Sequence, residues 1–219
     1  MGKVRELTDK QLLIFREIAN DVFFRSQFYF SGGTALASVY LHHRVSDDLD
    51  FFSQNKFDPL ILLNKVSSWS IKHDFKFSPQ TIEDTHVFNM SFPDRYLLKV
   101  DFAYYPYKRL KVGEIFEGME TDSLEDIAAS KMMLINQRSE VKDFVDLYFL
   151  LNKFSVWDLL IMAEAKFGVK LDILNQSADF LKVEEFEFLP RMIKPLTIAQ
   201  LKDFFRNLAK EMGSNVVEK

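Results

Sequence analysis

Apolar and polar positions follow two different periods in the first half of the chain. Helical spacing at residues 8–24, 34–42 and 59–71 alternates with short strand-like runs. The strand-like runs are residues 28–30, 48–52, 74–77, 85–92 and 96–105. Thr8 is a suitable N-cap for the first helix, and Pro93 with Asp94 predicts a hairpin turn between the last two strands. These residues therefore predict a mixed sheet with helices packed against it.

From residue 123 onward the pattern is helical. The predicted helices cover residues 123–137, 141–151, 157–168, 179–188 and 198–212. We therefore predict an α+β fold, in which a small mixed sheet flanked by helices is followed by a helical C-terminal half. The expected domains are residues 1–112 and 113–219, joined near residues 113–121.

Composition narrows the classes of function. Hydrophobic residues make up 47% of the chain, with 23 phenylalanines, which predicts a packed core rather than disorder. The absence of cysteine excludes disulfides, thiol catalysis and cysteine-ligated zinc. A net charge of −4 argues against a passive nucleic-acid clamp but leaves room for a local basic patch. No apolar run approaches the roughly 20 residues that cross a bilayer, so we expect a soluble cytoplasmic protein without a membrane partner.

A glycine-rich turn between a predicted strand and a predicted helix is the first candidate for chemistry. It consists of Ser31, Gly32, Gly33 and Thr34. Glycines let the backbone approach a ligand closely, and a helix that starts there favours an anion. Taken alone, such a turn more often only connects the strand to the helix and binds no ligand.

Three carboxylates are the second candidate. Asp48 and Asp50 lie two residues apart on a predicted strand and therefore point to one face. Asp101 lies in a second strand, and it joins them if the two strands are neighbours. Ligands that are all oxygen suit Mg²⁺, although each acid alone could be a solvated strand face. Together with the glycines, the three acids indicate phosphoryl or nucleotidyl transfer.

These motifs resemble those of the AbiEii/AbiGii abortive-infection nucleotidyltransferase toxins, in the polymerase-beta-like nucleotidyltransferase superfamily. The signature of that superfamily is Gly-Gly or Gly-Ser followed by Asp-x-Asp, which residues 30–36 and 44–52 match. Asp101 stands at the second motif. Asp126 and Lys131 resemble the third motif, an acid and a lysine five residues apart, and Arg138 with residues 142–147 resembles the fourth. The resemblance covers about residues 30–151.

The resemblance implies a role for each motif residue. The residues implied to bind nucleotide are Ser31, Gly32, Gly33, Thr34, Lys131, Lys142, Asp143 and Asp146. The implied metal ligands and catalytic carboxylates are Asp48, Asp50 and Asp101, of which Asp101 completes the Mg²⁺ site or helps to deprotonate the acceptor. Lys131 is implied to be catalytic as well, by neutralising phosphate charge, and the cluster of the fourth motif is implied to support the nucleotide or that lysine.

The third and fourth motifs also have structural readings. Asp126 follows Ser123 by three residues and could simply cap its helix. Lys142 and Asp146 are four residues apart and could form an ordinary surface ion pair. Asp143 and Asp146 share a helix face, where a cation should relieve their repulsion. The cations available for this are Lys131 and Arg138.

The resemblance implies transfer of a nucleoside monophosphate from a nucleoside triphosphate to an acceptor hydroxyl, with residues 113–219 completing the nucleotide cleft. The favoured acceptor is RNA, particularly a tRNA 3′ end, and a cognate antitoxin is a possible partner. Candidates for an RNA-binding patch are Arg191, Lys194, Lys202, Arg206 and Lys210, which could equally form a solvated helix face. Alternatives are transfer to a protein or a small molecule, and an inactive interaction module of the same fold.

Overall fold

The computed structural model of the protein describes residues 7–217; the ends of the two predicted domains, residues 1–6 and 218–219, lie outside the described residues. The chain forms two compact units. The first comprises Met1–Tyr40, Ser46–Tyr107 and Val112–Asp122, and the second comprises Leu41–Val45, Lys108–Lys111 and Ser123–Lys219. Within the described residues, no helix combines the length and the apolar character needed to cross a membrane.

The first unit contains a seven-stranded mixed sheet. Its strands are β1 (Tyr29–Ser31), β2 (Leu49–Ser53), β3 (Lys76–Ile82), β4 (Thr85–Ser91), β5 (Leu97–Tyr104), β6 (Val112–Phe116) and β7 (Met119–Asp122). Their order across the sheet is β3-β4-β5-β2-β1-β7-β6. The pairs β2–β5 and β1–β7 are parallel, and the other pairs are antiparallel. The predicted mixed sheet is confirmed and has two more strands than the sequence pattern indicates.

The helices of the first unit are α1 (Asp9–Asn20), α2 (Val22–Gln27), α3 (Gly32–Ala35) with a π-helical continuation (Leu36–Leu41), and α4 (Pro59–His73). Thr8 caps α1 as predicted, in a capping box with Gln11. The single helix predicted at residues 8–24 is wrong, because Asp21 adopts an extended conformation and its side chain accepts a hydrogen bond from the Phe23 amide at 2.9 Å. The chain therefore ends one helix and starts another at Asp21.

Strands β6 and β7 form where the sequence predicts only a join. The pattern does not indicate them because β6 is an edge strand in which two apolar residues face outward: Val112 is 84% exposed and Ile115 is 69% exposed. Phe116, at the end of β6, packs against the aromatic core. The turn between the two strands uses Glu117 and Gly118, both at positive φ. Both strands belong to the first unit.

One face of the central strands forms an aromatic core. Phe51 of β2 stacks on Phe102 of β5 with ring centroids 5.4 Å apart. Phe15 of α1 and Phe24 of α2 close over these rings. Since side chains alternate along a strand, the neighbouring residues of β2 and β5 point to the opposite face. That opposite face carries the predicted carboxylates.

The second unit is helical. Its helices are α5 (Leu124–Gln137), α6 (Val141–Leu150), α7 (Val156–Phe167), α8 (Ile173–Phe180) with a 3-10 turn (Leu181–Glu185), and α9 (Ile198–Val217). Phe144, Phe180 and Phe205 are fully buried at its centre. The helix predicted at 179–188 begins earlier, because Asp172 caps α8 by accepting a hydrogen bond from the Asn175 amide. The α+β prediction is confirmed.

Candidate active site

Three neighbouring strands bring the predicted motif residues of the first unit together. Ser31 of β1 is the register partner of Asp50 in β2, and Asp50 is the register partner of Asp101 in β5. Paired residues in adjacent strands point to the same face of a sheet. Asp48 lies just before β2, and its charge adds to burial in raising the pKa of Asp101, so Asp48 is near Asp101. The structure therefore places all three predicted carboxylates in one region.

Gly32 packs directly against this region. Its φ is +73°, in the left-handed region that favours glycine. A Cβ atom added to Gly32 would lie 2.1 Å from Asp50 Oδ2, which no side chain could tolerate without displacing the carboxylate. The absence of a side chain at Gly32 is thus required for Asp50 to occupy its position.

The hydroxyl groups of the glycine-rich turn hold the backbone around the acids. Ser31 is buried and donates a hydrogen bond to Asp122 Oδ2 at 2.9 Å. Thr34 is buried as well; its hydroxyl bonds to the carbonyl oxygen of Asp48 and lies 2.8 Å from Ser46 Oγ. These two side chains are therefore engaged with the protein, which leaves the backbone of the turn as the part able to meet a ligand.

Lys99 is a member of this site that the sequence analysis missed. Its Nζ donates a hydrogen bond to Asp101 Oδ2 at 2.6 Å. Burial works against the charge on Lys99, but the bond to Asp101 and the charges of Asp101, Asp50 and Asp48 outweigh it and raise its pKa. The spacing Lys99-x-Asp101, which puts both side chains on one face of a strand, is the signal that could have found it.

Asp101 is the most buried of the three acids. Burial raises its pKa, with a contribution from the Asp48 charge, although the bond from Lys99 opposes this. Its Oδ1 is buried and accepts no hydrogen bond from the described residues. A buried carboxylate oxygen without a partner is an acceptor available to a proton or a cation.

The donors of this region fit magnesium in their chemistry. Asp48, Asp50 and Asp101 supply only oxygen, the ligand type that Mg²⁺ prefers, and Asp101 Oδ1 is unsatisfied. Among residues 7–217, no group of three or more acidic or histidine side chains is already arranged to hold a metal ion. Lys99 supplies an ammonium group beside Asp101 in this arrangement.

Lys131 of the second unit lies in a buried ion cluster. Its side chain is 6% exposed, and Nζ is 2.7 Å from Asp143 Oδ1 and 2.6 Å from Asp146 Oδ2. Arg138 also pairs with Asp143, at 2.7 Å. Burial disfavours the charge on Lys131, but the two carboxylates outweigh it and raise the pKa of Lys131. Both residues predicted to supply a cation here do so. Lys131 pairs with Asp143 and Asp146, and Arg138 pairs with Asp143.

Asp146 is the centre of this cluster and is fully buried. Besides Lys131, it accepts hydrogen bonds from Arg44 Nε at 2.6 Å and Arg44 Nη2 at 2.9 Å, and it lies 2.7 Å from His43 Nε2. Burial lowers the pKa of His43, although the bond to Asp146 opposes this. A surface pair between Lys142 and Asp146 does not form, since Lys142 is exposed and Asp146 is buried.

Asp126 serves as a structural anchor within the second unit. Its amide donates to Ser123 Oγ at 3.0 Å, and Ser123 Oγ donates back to Asp126 Oδ2 at 2.6 Å, so the expected cap is present. The same carboxylate pairs with buried Lys166 at 2.7 Å and accepts the Leu110 and Lys111 amides. These contacts within the protein are sufficient to explain why an acid stands at the position of the third motif; a bound ligand is not needed.

The candidate basic patch near the C-terminus is partly neutralised. Arg206 pairs with Glu184 and with Asp203, and Lys202 Nζ donates to the Glu184 carbonyl oxygen at 2.9 Å. Acids beside these cations favour the interpretation as a solvated helix face over that of an RNA-binding patch.

Comparisons with known proteins confirm the family resemblance. A family described as "Nucleotidyl transferase AbiEii toxin, Type IV TA system" matches residues 13–215 of the chain. An uncharacterized protein of Aquifex aeolicus (strain VF5) is 35% identical over 138 residues, which are 61% of this chain; the match spans only 62% of the length of that relative.

Solved structures share the fold across nearly the whole chain. A candidate nucleotidyltransferase from Helicobacter pylori superposes with a TM-score of 0.58 at 18% identity, covering 97% of this chain and 98% of that one. The nucleotidyltransferase toxin MenT4 of Mycobacterium tuberculosis H37Rv superposes with a TM-score of 0.54 at 16% identity, covering 93% of this chain and 85% of that one. At these identities the likeness shows the fold.

Proposed function

Because the chain belongs to the family of AbiEii nucleotidyl transferase toxins, we propose that it transfers a nucleoside monophosphate to RNA. The donor is a nucleoside triphosphate, and the favoured acceptor is a hydroxyl at a tRNA 3′ end. The observation that carries the proposal is the cross-strand register of Asp50 and Asp101 beside Gly32. We propose that the protein acts in the cytoplasm and is controlled by a cognate antitoxin.

The turn that contains Gly32 and Gly33 is proposed to hold the triphosphate. Because the hydroxyls of Ser31 and Thr34 are engaged with Asp122 and Asp48, backbone amides supply the contacts. Lys99 is a cation within the same unit and is paired with Asp101. We propose that, when substrate binds, the Lys99 ammonium leaves Asp101 and pairs with a phosphate oxygen. This role fits its 40% side-chain exposure.

Asp48, Asp50 and Asp101 are proposed to hold magnesium. When bound, the metal neutralises phosphate charge and favours ionisation of the attacking hydroxyl. The acceptor oxygen then forms a bond to the α-phosphorus while the bond from that phosphorus to the β-phosphate oxygen breaks, and pyrophosphate leaves. Asp101 is the proposed base, because its Oδ1 accepts no hydrogen bond from the described residues and can therefore take the hydroxyl proton.

For Lys131 the geometry supports a structural contribution. The role implied by sequence, neutralising a phosphate, requires an ammonium that a ligand can reach. Here Lys131 is buried and bonded to both Asp143 and Asp146. We therefore propose that the cluster of the fourth motif stabilises the second unit through this lysine, and that Lys142 is dispensable.

The acceptor can be identified with the wild-type protein. We expect label from one of the four α-labelled ribonucleoside triphosphates to enter RNA when the protein is incubated with magnesium and total bacterial RNA. Chelation of magnesium with EDTA should abolish the incorporation, and restored magnesium should recover it. Label on a protein or on a small molecule instead would show that the chemistry is right and the RNA acceptor is wrong.

A further inference from the structure

Three aromatic side chains form a continuous surface at the end of β2 and β5, which we name the aromatic shelf: Phe52, Tyr105 and Tyr107. The ring centroids of Phe52 and Tyr105 are 4.6 Å apart with planes 30° from parallel. The centroids of Tyr105 and Tyr107 are 4.8 Å apart, edge to face. Tyr107 is 41% exposed, and the other two are half-buried. The shelf thus presents aromatic surface to solvent.

Backbone contacts fix the aromatic shelf in place. The amide of Tyr105 donates to the carbonyl oxygen of Ser53 at 2.7 Å, which extends the β2–β5 pairing by one residue. The side-chain amide of Gln54 donates to the carbonyl oxygen of Tyr107 at 2.8 Å. A stacking surface held by hydrogen bonds loses little conformational entropy when a flat ligand binds to it.

The shelf lies on the same sheet face as the carboxylates. Phe52 is two residues beyond Asp50 on β2, a distance of about 7 Å, and therefore points to the same side. The register partner of Phe52 on β5 is Ala103, which has a small side chain, and its partner on β1 is Tyr29, whose ring packs edge-on against Phe52. Gly32 lies toward the other end of β2, because β1 runs antiparallel and Ser31 is already opposite Asp50. The carboxylates are thus between the glycine turn and the shelf.

The order of the glycine turn, the carboxylates and the aromatic shelf along the sheet supports an inference that rests on the proposed function. In an in-line transfer the attacking hydroxyl enters on the side opposite the leaving pyrophosphate. With the triphosphate at Gly32, the acceptor approaches from the side of the aromatic shelf. We propose that Phe52, Tyr105 and Tyr107 stack the base of the acceptor nucleotide, at the end of a single-stranded nucleic acid. Every base offers a face for stacking, so this contact tolerates different sequences.

Binding of an unreactive oligonucleotide tests the shelf without relying on catalysis. The probe is a short single-stranded oligoribonucleotide with a blocked 3′ end, compared with the same probe lacking its terminal base. For the wild-type protein, we expect the loss of that base to weaken binding about tenfold, as measured by fluorescence anisotropy. Equal dissociation constants for the two probes would overturn the proposal.

Variants at Tyr105 locate the contact. Tyr105→Leu should bind the complete probe about tenfold more weakly and discriminate little against the abasic probe, whereas Tyr105→Phe should behave as the wild type. Phe188→Leu, at an exposed aromatic residue of the second unit, is the matched control and should change nothing. Wild-type discrimination by Tyr105→Leu would overturn the assignment.

The two proposals fail in different ways. RNA labelling that is unaffected by Tyr105→Leu would refute the shelf and leave the nucleotidyl-transfer proposal standing. Base-dependent oligonucleotide binding without any transfer would refute the proposed reaction while supporting the shelf. Because the binding assay uses the folded wild-type protein, misfolding of a variant cannot produce a false result in the comparison of the two probes.

Discussion

The double substitution Asp48→Asn/Asp50→Asn is expected to lower the rate of nucleotidyl transfer by at least about 10³-fold, because it removes the two carboxylate charges that are proposed to bind magnesium. Asparagine is nearly the same size as aspartate, and both side chains are only partly buried. The substitutions remove negative charge from a region where Asp101 already lies beside Asp50 in the register. The fold should therefore persist, with a melting temperature close to that of the wild type.

Asp47→Asn is the matched control for this experiment. Asp47 is adjacent in sequence and exposed, and it precedes the strand that carries Asp50. The control should retain activity within about twofold, in keeping with the small effect usual for surface substitutions. Incorporation of labelled nucleotide at saturating magnesium measures both variants. A double variant that keeps more than a tenth of wild-type activity would remove these carboxylates from the catalytic account.

Replacing Lys131 with methionine is expected to destabilise the protein by about 3–5 kcal/mol, the usual cost of removing one partner from a buried ion pair. Lys131 compensates two buried carboxylates, and Asp146 is fully buried. Arg44 remains bonded to Asp146, and Arg138 remains bonded to Asp143, so we expect a loss at the lower end of this range. Urea unfolding followed by circular dichroism gives the change in the free energy of unfolding.

Lys142→Met separates the structural role from a general effect of losing a lysine in the fourth-motif region. Lys142 is exposed, so this variant should stay within about 0.5 kcal/mol of the wild type. If Lys131→Met instead unfolds at the wild-type urea concentration but loses nucleotidyl transfer, Lys131 acts on the substrate and the structural account of the cluster is wrong.

The sequence predicts local features of this site because they depend on short-range geometry. The two-residue period of a strand predicts Asp48 and Asp50 on one side, although β2 begins only at Leu49, and a glycine pair between strand and helix predicts a close backbone approach. The charge pattern of α6 likewise predicts that Asp143 and Asp146 need a cation, which Lys131 and Arg138 supply to Asp143. Each of these inferences uses residues within about one turn or one strand.

Local periodicity and charge patterns cannot predict contacts between residues that are far apart in the sequence. Asp146 bonds to Arg44 and His43, about a hundred residues earlier, and no periodicity relates these positions. The spacing of Lys99 and Asp101 indicates that their side chains share one face of a strand, but it does not indicate that Asp50 lies beside them. The pairing of β2 with β5 makes Lys99 a neighbour of the acid pair, and only the sheet order reveals that pairing.

The most direct test of the central claim is the fate of the two labelled phosphates of one nucleoside triphosphate. The preferred triphosphate, labelled at either the α- or the γ-phosphorus, is incubated with the protein, magnesium and RNA. Nucleotidyl transfer predicts that the α-label enters RNA in the same amount as the γ-label appears in pyrophosphate. Entry of the γ-label into the acceptor would show phosphoryl transfer instead, and would contradict the chemistry assigned to the carboxylates and the glycine turn.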